Sequence, residues 1–221
     1  MIKNFDELLQ IAKEGPKMKL AVAAAQDDEV LLAVEEARKL GFIDAILVGD
    51  RDKILDIGQK FSIDLANFEI LDVKDIKLAA RMAVTLVSQG KADFLMKGIL
   101  GTADLLRAVL DKEIGLRTNS LLSHVMIYSL PNYHKLIFLT DGGMCTYPDL
   151  NQKIQIVQNA VKAAKSMGIA PIHVAPLAAV EVINPEMQAT LDAAALAKMN
   201  QRGQIKDCII DGPLSLDISF S

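Results

Sequence analysis

The sequence predicts an α/β protein whose first 118 or so residues form an open parallel sheet, followed by a second α/β unit. Strands such as KLAVAAA and DAILVGD are apolar without alternation, which is typical of parallel strands covered on both faces. Segments of helical length separate these strands. Only the four residues PNYH separate HVMIYSL from KLIFLT, and no helix fits there, so we expect an antiparallel pair. We therefore place one domain at 1–119 and a second at 120–221.

In the first unit, each predicted strand leads into a predicted helix. A short amphipathic helix opens the chain, and the helix DDEVLLAVEEARKLG has acids in its first turn, basic residues in its last and Gly41 as its stop. The later elements are, in order, a strand at 44–50, a helix at 52–60, a strand at 68–72, a helix at 74–90, a strand at 92–96 and a helix at 103–113.

In the second unit, a long helix follows the antiparallel pair and starts from a capping-box spacing of Asp149 and Gln152. A strand PIHVAP follows, then a helix with Pro185 near its first position, then a strand that runs into the turn DGPLSLD. A last strand without a following helix is half of a β-α unit. We therefore expect the second domain to be incomplete and the chain to be truncated.

Composition and charge exclude several classes of function. The net charge of −4 argues against a general nucleic-acid or acidic-membrane surface, because such surfaces collect positive charge. No apolar run approaches the roughly 20 residues of a membrane span, and the acidic start does not fit a signal peptide, so we expect a cytoplasmic protein. Cys145 and Cys208 stand far apart without metal-ligand spacing, and we interpret both as small buried hydrophobic residues.

Three predicted strand ends share one design. The segments FLMKGILGTAD, IFLTDGGMCTYPDL and CIIDGPLSLD each deliver a Lys-Gly or an Asp-Gly directly from an apolar strand. Ligands of open α/β sheets bind where the strands end at their carboxyl edge. Glycines let a ligand approach the backbone there, and a helix start offers N–H groups to an anion. The pattern predicts a phosphate site, although ordinary turns would also use these glycines.

Two cations near the first of these turns are candidates for anion binding. Arg107 lies among apolar residues of its predicted helix, which Thr102 could cap, and we expect its guanidinium to be half-buried. Lys97 ends an apolar strand, where an ammonium needs a partner or water. The isolated histidines give no general base on spacing alone. The chain has no GxGxxG and no GxxxxGK[ST], so neither a dinucleotide fingerprint nor a P-loop is present.

These turns carry a resemblance to a known family. The segments ADFLMKGILGTADLLRAVLDKEIGLRT, LLSHVMIYSLPNYHKLIFLTDGGM, PDLNQK and DGPLSLD resemble the phosphate acetyl/butyryl transferases, and LMKG and SHV resemble the phosphate butyryltransferase branch more than the phosphotransacetylase branch. The likeness runs from about residue 18 to the end. It implies two α/β domains of the isocitrate dehydrogenase-like type, with parallel and mixed sheets and a cleft between the domains.

The resemblance also implies the reaction. Such enzymes interconvert acyl-CoA plus phosphate with acyl phosphate plus free coenzyme A, here with a short butyryl or branched acyl group. They use no metal and no permanently bound cofactor, since coenzyme A is a co-substrate. A homodimer or higher homo-oligomer is expected, with small-molecule substrates and neither nucleic acid nor a membrane as partner.

The resemblance assigns roles to individual residues. Arg107, which ends TADLLR, matches a phosphate-binding arginine and is the expected catalytic residue. Asp217 is expected to be structural or to line the cleft. The expected substrate-binding residues are Lys97, Gly98, Thr102, Ser123, His124, Asp141, Gly142, Gly143, Asp211 and Gly212.

The sequence also departs from the family. The Ser-Arg motif and nearby aspartate that the family supplies from its carboxyl-terminal segment do not occur in this chain. An alternative is therefore a catalytically incomplete fragment or remnant that binds coenzyme A or phosphate. A related acyl-phosphate or hydroxyacid enzyme on the same architecture would need a metal-binding carboxylate cluster or a dinucleotide motif, and neither is found.

Overall fold

A computed structural model describes residues 2–131 and 133–220, and its internal contacts divide the chain into two compact units. One unit is Leu9–Asn119, and the other consists of Met1–Leu8 with Ser120–Ser221. The assignment of 1–119 and 120–221 as two domains, the second incomplete, stays a prediction.

The unit Leu9–Asn119 is built on a four-stranded parallel sheet. Its strand order is β3-β2-β1-β4, with Met18 opposite Ile43 at one end of the β1–β2 pair. This confirms the predicted open parallel sheet. The elements, with the opening helix first, are α1 (Phe5–Glu14), β1 (Met18–Ala23), α2 (Asp28–Lys39), β2 (Ile43–Gly49), α3 (Arg51–Phe61), β3 (Glu69–Asp72), α4 (Ile76–Ser88), β4 (Phe94–Lys97) and α5 (Thr102–Val109).

Both faces of this sheet are covered, as its unbroken apolar strands predict. Alternate residues of β1 point to opposite faces, so Leu20 and Val22 join one core while Ala21 and Ala23 join the other. The first core contains Leu31 and Val34 of α2 and Ile54 of α3. The second contains residues of α4 and α5, many of them alanines. Ala79, Ala80 and Ala83 of α4 have no exposed surface, and Ala108 of α5 is almost fully buried.

Small paired strands and two long helices form the other unit. The antiparallel pairing of β5 with β6 confirms the prediction from the short PNYH connection. Strands β7 and β8 are parallel, and Leu177 and Leu214 form a further bridge. The elements are β5 (Val125–Tyr128), β6 (Ile137–Thr140), α6 (Leu150–Ser166), β7 (His173–Val174), α7 (Gln188–Gln201) and β8 (Ile209–Ile210).

The predicted capping box of α6 is present with both of its hydrogen bonds. The Asp149 carboxylate accepts from the Gln152 N–H at 2.8 Å, and the Gln152 side chain accepts from the Asp149 N–H at 3.0 Å. The core of this unit contains Val157 and Val161 of α6 and Leu196 of α7. The sequence pattern therefore fixes both the start of α6 and its buried face.

Two helix boundaries differ from the predictions. Helix α5 stops at Val109 instead of residue 113, because the Asp111 carboxylate accepts the N–H groups of Glu113 and Ile114 and turns the chain. Helix α7 begins at Gln188, after Pro185. Its entry is a turn in which the Asn184 carbonyl accepts the N–H of Met187.

Two predictions about single residues are also corrected. Thr102 does not cap α5, because the N-cap is Gly101 and no described side chain caps this helix. Cys145 and Cys208 are half-buried free cysteines instead of fully buried ones. Their partial burial raises the pKa of both thiols. In the part of the chain that the structure covers, no helix is long and apolar enough to cross a membrane.

Candidate active site

The structure places each of the three chemistry-bearing turns directly after a strand, as predicted. Strand β4 ends at Lys97, β6 ends at Thr140 and β8 ends at Ile210. Gly98, Asp141 and Asp211 are the next residues in each case. The first turn belongs to the unit Leu9–Asn119 and the other two to the second unit.

The Lys-Gly turn lies at the topological switch point of the parallel sheet. Strands β2 and β3 lie on one side of β1, and β4 lies on the other. Helices α2 and α3 pack on one face of the sheet, whereas α4 and α5 pack on the opposite face. Ligands of open α/β sheets bind in the crevice that such a reversal leaves at the carboxyl ends of the strands. Lys97 pairs with Ala23 at this edge.

Gly98 is explained by close packing of backbone against backbone. Its N–H donates to the carbonyl of Ala23 at 2.8 Å, and the next N–H, of Ile99, donates to the carbonyl of Ala24 at 2.9 Å. A Cβ on Gly98 would lie 2.7 Å from the Ala23 oxygen and closer still to the Ala24 oxygen. The glycine therefore fastens the turn to the end of β1, and no ligand is needed to account for it.

Lys97 satisfies its ammonium within the same turn. Its Nζ donates to the carbonyls of Gly98 at 3.3 Å and Leu100 at 3.1 Å. These two bonds hold the loop between β4 and α5 in a curled form. The absence of a side-chain cap on α5 leaves the first N–H groups of that helix without a side-chain acceptor among the described residues. Such groups, with the positive end of the helix dipole, attract anions.

Arg107 lies on α5 in a groove beside α4. Its side chain is 72% exposed and its guanidinium pairs with Asp104 one turn earlier, so the expectation of a half-buried arginine is wrong. The groove has a volume of about 220 Å³, and Arg81 of α4 contributes a second guanidinium to it. The groove is lined by Lys77, Arg81, Asp104, Arg107, Ala108 and Asp111.

Sequence reasoning missed Lys77 and Arg81. Their separation of four residues puts both on one face of α4, which was the available signal. Arg81 donates to Asp111 at 2.7 Å, whereas Lys77 makes no ion pair within the described ranges. Hydrogen bonds from the N–H of Glu113 and from Arg81 lower the pKa of Asp111 to about 2. The groove thus holds three cations against two carboxylates.

Asp141 ties its own turn to the start of β5. One carboxylate oxygen accepts the N–H groups of Gly143 at 2.9 Å and Met144 at 2.7 Å, and the other accepts the N–H of His124 at 2.8 Å. Burial opposes ionisation of this carboxyl, but these bonds and one from Cys145 outweigh it and lower its pKa to about 2. The N–H groups of His124, Gly143 and Met144 therefore bind Asp141. The expectation that N–H groups at this turn hold a substrate anion does not apply to these three.

Ser123 and His124 are held by the same region of the second unit. The Ser123 hydroxyl accepts from the Asn159 side chain at 2.8 Å, which links it to α6. Thr140 donates to the His124 carbonyl at 2.7 Å. A Cβ on Gly142 would lie 3.8 Å from Nδ1 of His124, so the imidazole lies close to the glycine turn. The structure thus brings Ser123, His124 and the Asp141–Gly143 turn together.

The third turn packs on the end of β7 and on the segment that follows it. Asp211 donates its N–H to the Val174 carbonyl at 3.1 Å, and a Cβ on Gly212 would lie 2.9 Å from the ring of Pro176. The Ser215 hydroxyl donates to Glu181 at 2.5 Å, and its closeness to Asp217 lowers the pKa of that carboxyl. Of the residues described, none form a group of three or more His, Cys, Asp or Glu side chains that could hold a metal ion.

Comparison with known proteins identifies the family. The family model described as "Phosphate acetyl/butaryl transferase" matches residues 73–221. Phosphate butyryltransferase of Clostridium acetobutylicum is 53% identical over 221 residues, which are 100% of this chain and 73% of that protein. Phosphate acetyltransferase of Thermotoga maritima is 41% identical over 212 residues, covering 96% of this chain and 71% of that protein.

A solved structure supports the same assignment. The branched-chain phosphotransacylase of Enterococcus faecalis V583 superposes with a TM-score of 0.79 at 29% identity, covering 92% of this chain and 71% of that one. The sequence resemblance, the fold and these relatives agree. The chain belongs to the phosphate acetyl/butyryl transferase family.

Proposed function

We propose that this chain transfers a short acyl group between coenzyme A and inorganic phosphate, and that the α4–α5 groove holds the phosphoryl group. The observation that carries the assignment of the site is the groove itself, which gathers Lys77, Arg81 and Arg107 between α4 and α5. Phosphate oxygens are bound by such clusters of guanidinium and ammonium groups. In one direction the acyl phosphate would be bound there, and in the other direction free phosphate.

The ion pair of Arg107 with Asp104 is compatible with phosphate binding. Because the guanidinium is mostly exposed, the pair contributes little to stability and a phosphate oxygen can replace or share it at low cost. Guanidinium binds phosphate oxygens in a bidentate geometry that an ammonium cannot reproduce. Arg107 is therefore the proposed catalytic residue, with Lys77 and Arg81 as additional phosphate contacts.

The proposed reaction needs no nucleophile from the enzyme. The coenzyme A sulfur attacks the carbonyl carbon of the acyl phosphate and the C–S bond forms. The bond between that carbon and the oxygen that bridges to phosphorus breaks, and phosphate leaves with the electron pair. The thiol proton passes to solvent or to the departing phosphate. In reverse, a phosphate oxygen attacks the thioester and the coenzyme A thiolate leaves.

Positioning outweighs base catalysis in this reaction. Taking the coenzyme A thiol as similar to cysteine, with a pKa of about 8.5, full deprotonation at pH 7 contributes only about 2 kcal/mol. A preorganised charge-stabilising donor contributes about 2.7 to 4 kcal/mol, and holding two substrates together contributes roughly 7 to 11 kcal/mol. An active site in this family is thus mainly a device that aligns two anionic substrates.

The proposal assigns supporting roles to residues of both units. The turn at Asp141–Gly143 and the neighbouring Ser123 and His124 are proposed to contact the acyl-CoA, with Asp141 as a positioning residue. Lys97, Gly98 and Thr102 would shape the phosphate side of the site. Asp211 and Gly212 are proposed to contact the substrates. A homodimer in the cytoplasm completes the proposal.

Replacement of Arg107 tests the proposal. In a thiol-release assay with butyryl-CoA and phosphate, we expect Arg107→Ala to raise the KM for phosphate and to lower turnover, together by about 10²- to 10³-fold. Arg107→Lys should recover only part of this loss. Arg202→Ala, which removes an exposed arginine at the end of α7, is the control and should behave as the parent chain.

The same assay separates the competing functions. Unchanged kinetics in Arg107→Ala would remove Arg107 from the site. Release of coenzyme A that does not depend on phosphate would indicate a thioesterase. Acetyl-, butyryl- and isobutyryl-CoA, compared at equal concentration, would show the preferred acyl group. Binding of coenzyme A without turnover of any of them would favour the catalytically incomplete module.

A further inference from the structure

We infer that the second unit carries a separate binding site for a phosphorylated small molecule of nucleotide size, in a lysine-lined groove beside α6. The groove has a volume of about 570 Å³, and none of the residues assigned above to acyl transfer lines it. Its lining residues are Gln158, Val161, Lys162, Lys165, Ser166, Gln204, Lys206 and Asp207. We call it the lysine groove.

One wall of the lysine groove is a single face of α6. Gln158, Lys162 and Lys165 follow one another at helical spacing, so their side chains project on the same side. Val161 lies between them and is buried in the core of the unit. This wall therefore offers an apolar base with two ammonium groups and an amide above it.

The opposite wall is a short loop that is held in one conformation. Ile205 is almost fully buried, which fixes Gln204 and Lys206 on either side of it. Asn200 donates to the carbonyls of Ile205 at 2.9 Å and Cys208 at 3.0 Å, so the loop is bonded at both ends to α7. A binding site with its walls already fixed loses less conformational entropy when it binds a ligand.

The charge of the lysine groove favours an anion. Lys165 pairs with Asp207 at 2.9 Å, and both side chains are more than half exposed. In the described part of the chain, Lys162 and Lys206 make no ion pair. The groove therefore holds three positive charges against one negative charge. The carboxyl end of α6 adds partial negative charge nearby, which Lys165 in its last turn offsets.

Size and chemistry together define the class of ligand. The groove is open to solvent, and its volume is larger than a free phosphate ion needs. Two unpaired ammonium groups on opposite walls suit two phosphate oxygens, while the amides and the apolar base suit an uncharged body. A nucleoside diphosphate has both the phosphate oxygens and the uncharged body.

Binding of ADP, measured by isothermal titration calorimetry on this chain, tests the inference. We expect saturable binding that weakens as salt rises, and no binding of adenosine, which lacks the phosphates. Pyrophosphate should bind more weakly than ADP if the nucleoside contributes. The double variant Lys162→Gln with Lys206→Gln should weaken ADP binding by about tenfold or more, the equivalent of about 1.4 kcal/mol.

Two further variants make the test specific. Asp207→Asn should strengthen ADP binding, because it frees Lys165 and removes the one carboxylate that lines the groove among the described residues. Asparagine tolerates the left-handed conformation that Asp207 adopts, so this variant keeps the loop. Lys198→Gln, on the exposed side of α7, should leave binding unchanged.

Several results would overturn the inference. They are an absence of saturable ADP binding, equal affinity in the parent chain and the Lys162/Lys206 variant, or an equal loss in Lys198→Gln. The readout is binding and not acyl transfer, so failure here leaves the proposed function untouched. Coenzyme A could also compete with ADP for binding. If Arg107→Ala abolishes this competition and Lys162→Gln does not change it, ADP binds in the acyl-transfer site, and the inference is overturned.

Discussion

Replacement of Gly98 by alanine tests whether the Lys-Gly turn is held by packing. The added Cβ would lie 2.7 Å from the carbonyl oxygen of Ala23 and nearer to that of Ala24, so it must retreat by well over an ångström. That movement breaks or stretches the two bonds that the N–H groups of Gly98 and Ile99 make to β1. Both carbonyl oxygens belong to the main chain at the end of a buried strand, so neither can rotate away.

The expected loss follows from these two effects. Overpacking of a tight site costs about 1 to 3 kcal/mol. The weakened backbone bonds add about 1 kcal/mol each when they are lost completely. We therefore expect Gly98→Ala to lower the free energy of unfolding by about 2 to 4 kcal/mol, measured by urea unfolding followed by circular dichroism.

Gly101→Ser is the matched control for Gly98→Ala. Gly101 is three residues away and its added Cβ would come no closer than 3.8 Å to Asp104. Because Gly101 is the N-cap of α5, serine there should preserve or slightly raise stability. Equal urea midpoints for Gly98→Ala, Gly101→Ser and the parent chain would refute the packing argument.

Two carboxylates make further predictions about stability. The pKa of Asp141 is held near 2, below the ordinary Asp pKa near 4, so its hydrogen bonds stabilise the fold fully above about pH 4. This contribution, about 2 kcal/mol, should be lost as pH falls from about 4 to 2. In Asp141→Asn an amide NH₂ must face an N–H donor, so this variant should be less stable at pH 7, and its free energy of unfolding should change less between pH 4 and 2. A pH dependence as steep as that of the parent chain would contradict this. Asp192 is nearly buried and accepts from Lys153 at 2.6 Å, so Asp192→Asn should lower the free energy of unfolding by about 1 to 3 kcal/mol. Lys165→Gln, which breaks an exposed pair, should change it by less than about 1 kcal/mol, and equal losses in the two variants would show that burial of the pair does not matter.

The fold was largely predictable because its signals are local. The unbroken apolar strands predicted a parallel sheet, and the four-residue connection PNYH left an antiparallel pair as the option. The Asp149 capping box fixed the start of α6. The early end of α5 was harder to predict, because the Asp111 side chain competes for backbone N–H groups only once the chain has turned.

The candidate site was less predictable because it depends on contacts between elements. Helical spacing placed Arg107 among leucines, but exposure depends on how α5 lies against α4, which spacing does not show. Lys77 and Arg81 line the same groove because of how α4 lies against α5, which spacing along one helix also does not show. The glycine of the Lys-Gly turn was correctly singled out, yet its cause is a neighbouring strand that lies more than seventy residues earlier.

The alanines between α4 and the sheet limit how this half of the molecule can vary. Ala79, Ala80 and Ala83 have no exposed surface and face Ala21 and Ala23 across the interface. Alanine can be shortened only to glycine, so nearly every other replacement there adds atoms to space that is already filled. The leucine- and valine-rich opposite face can lose methyl groups as well as exchange them. Sequence drift should therefore be slower beneath α4, and the helix that presents Lys77 and Arg81 is kept at a fixed height above the strands.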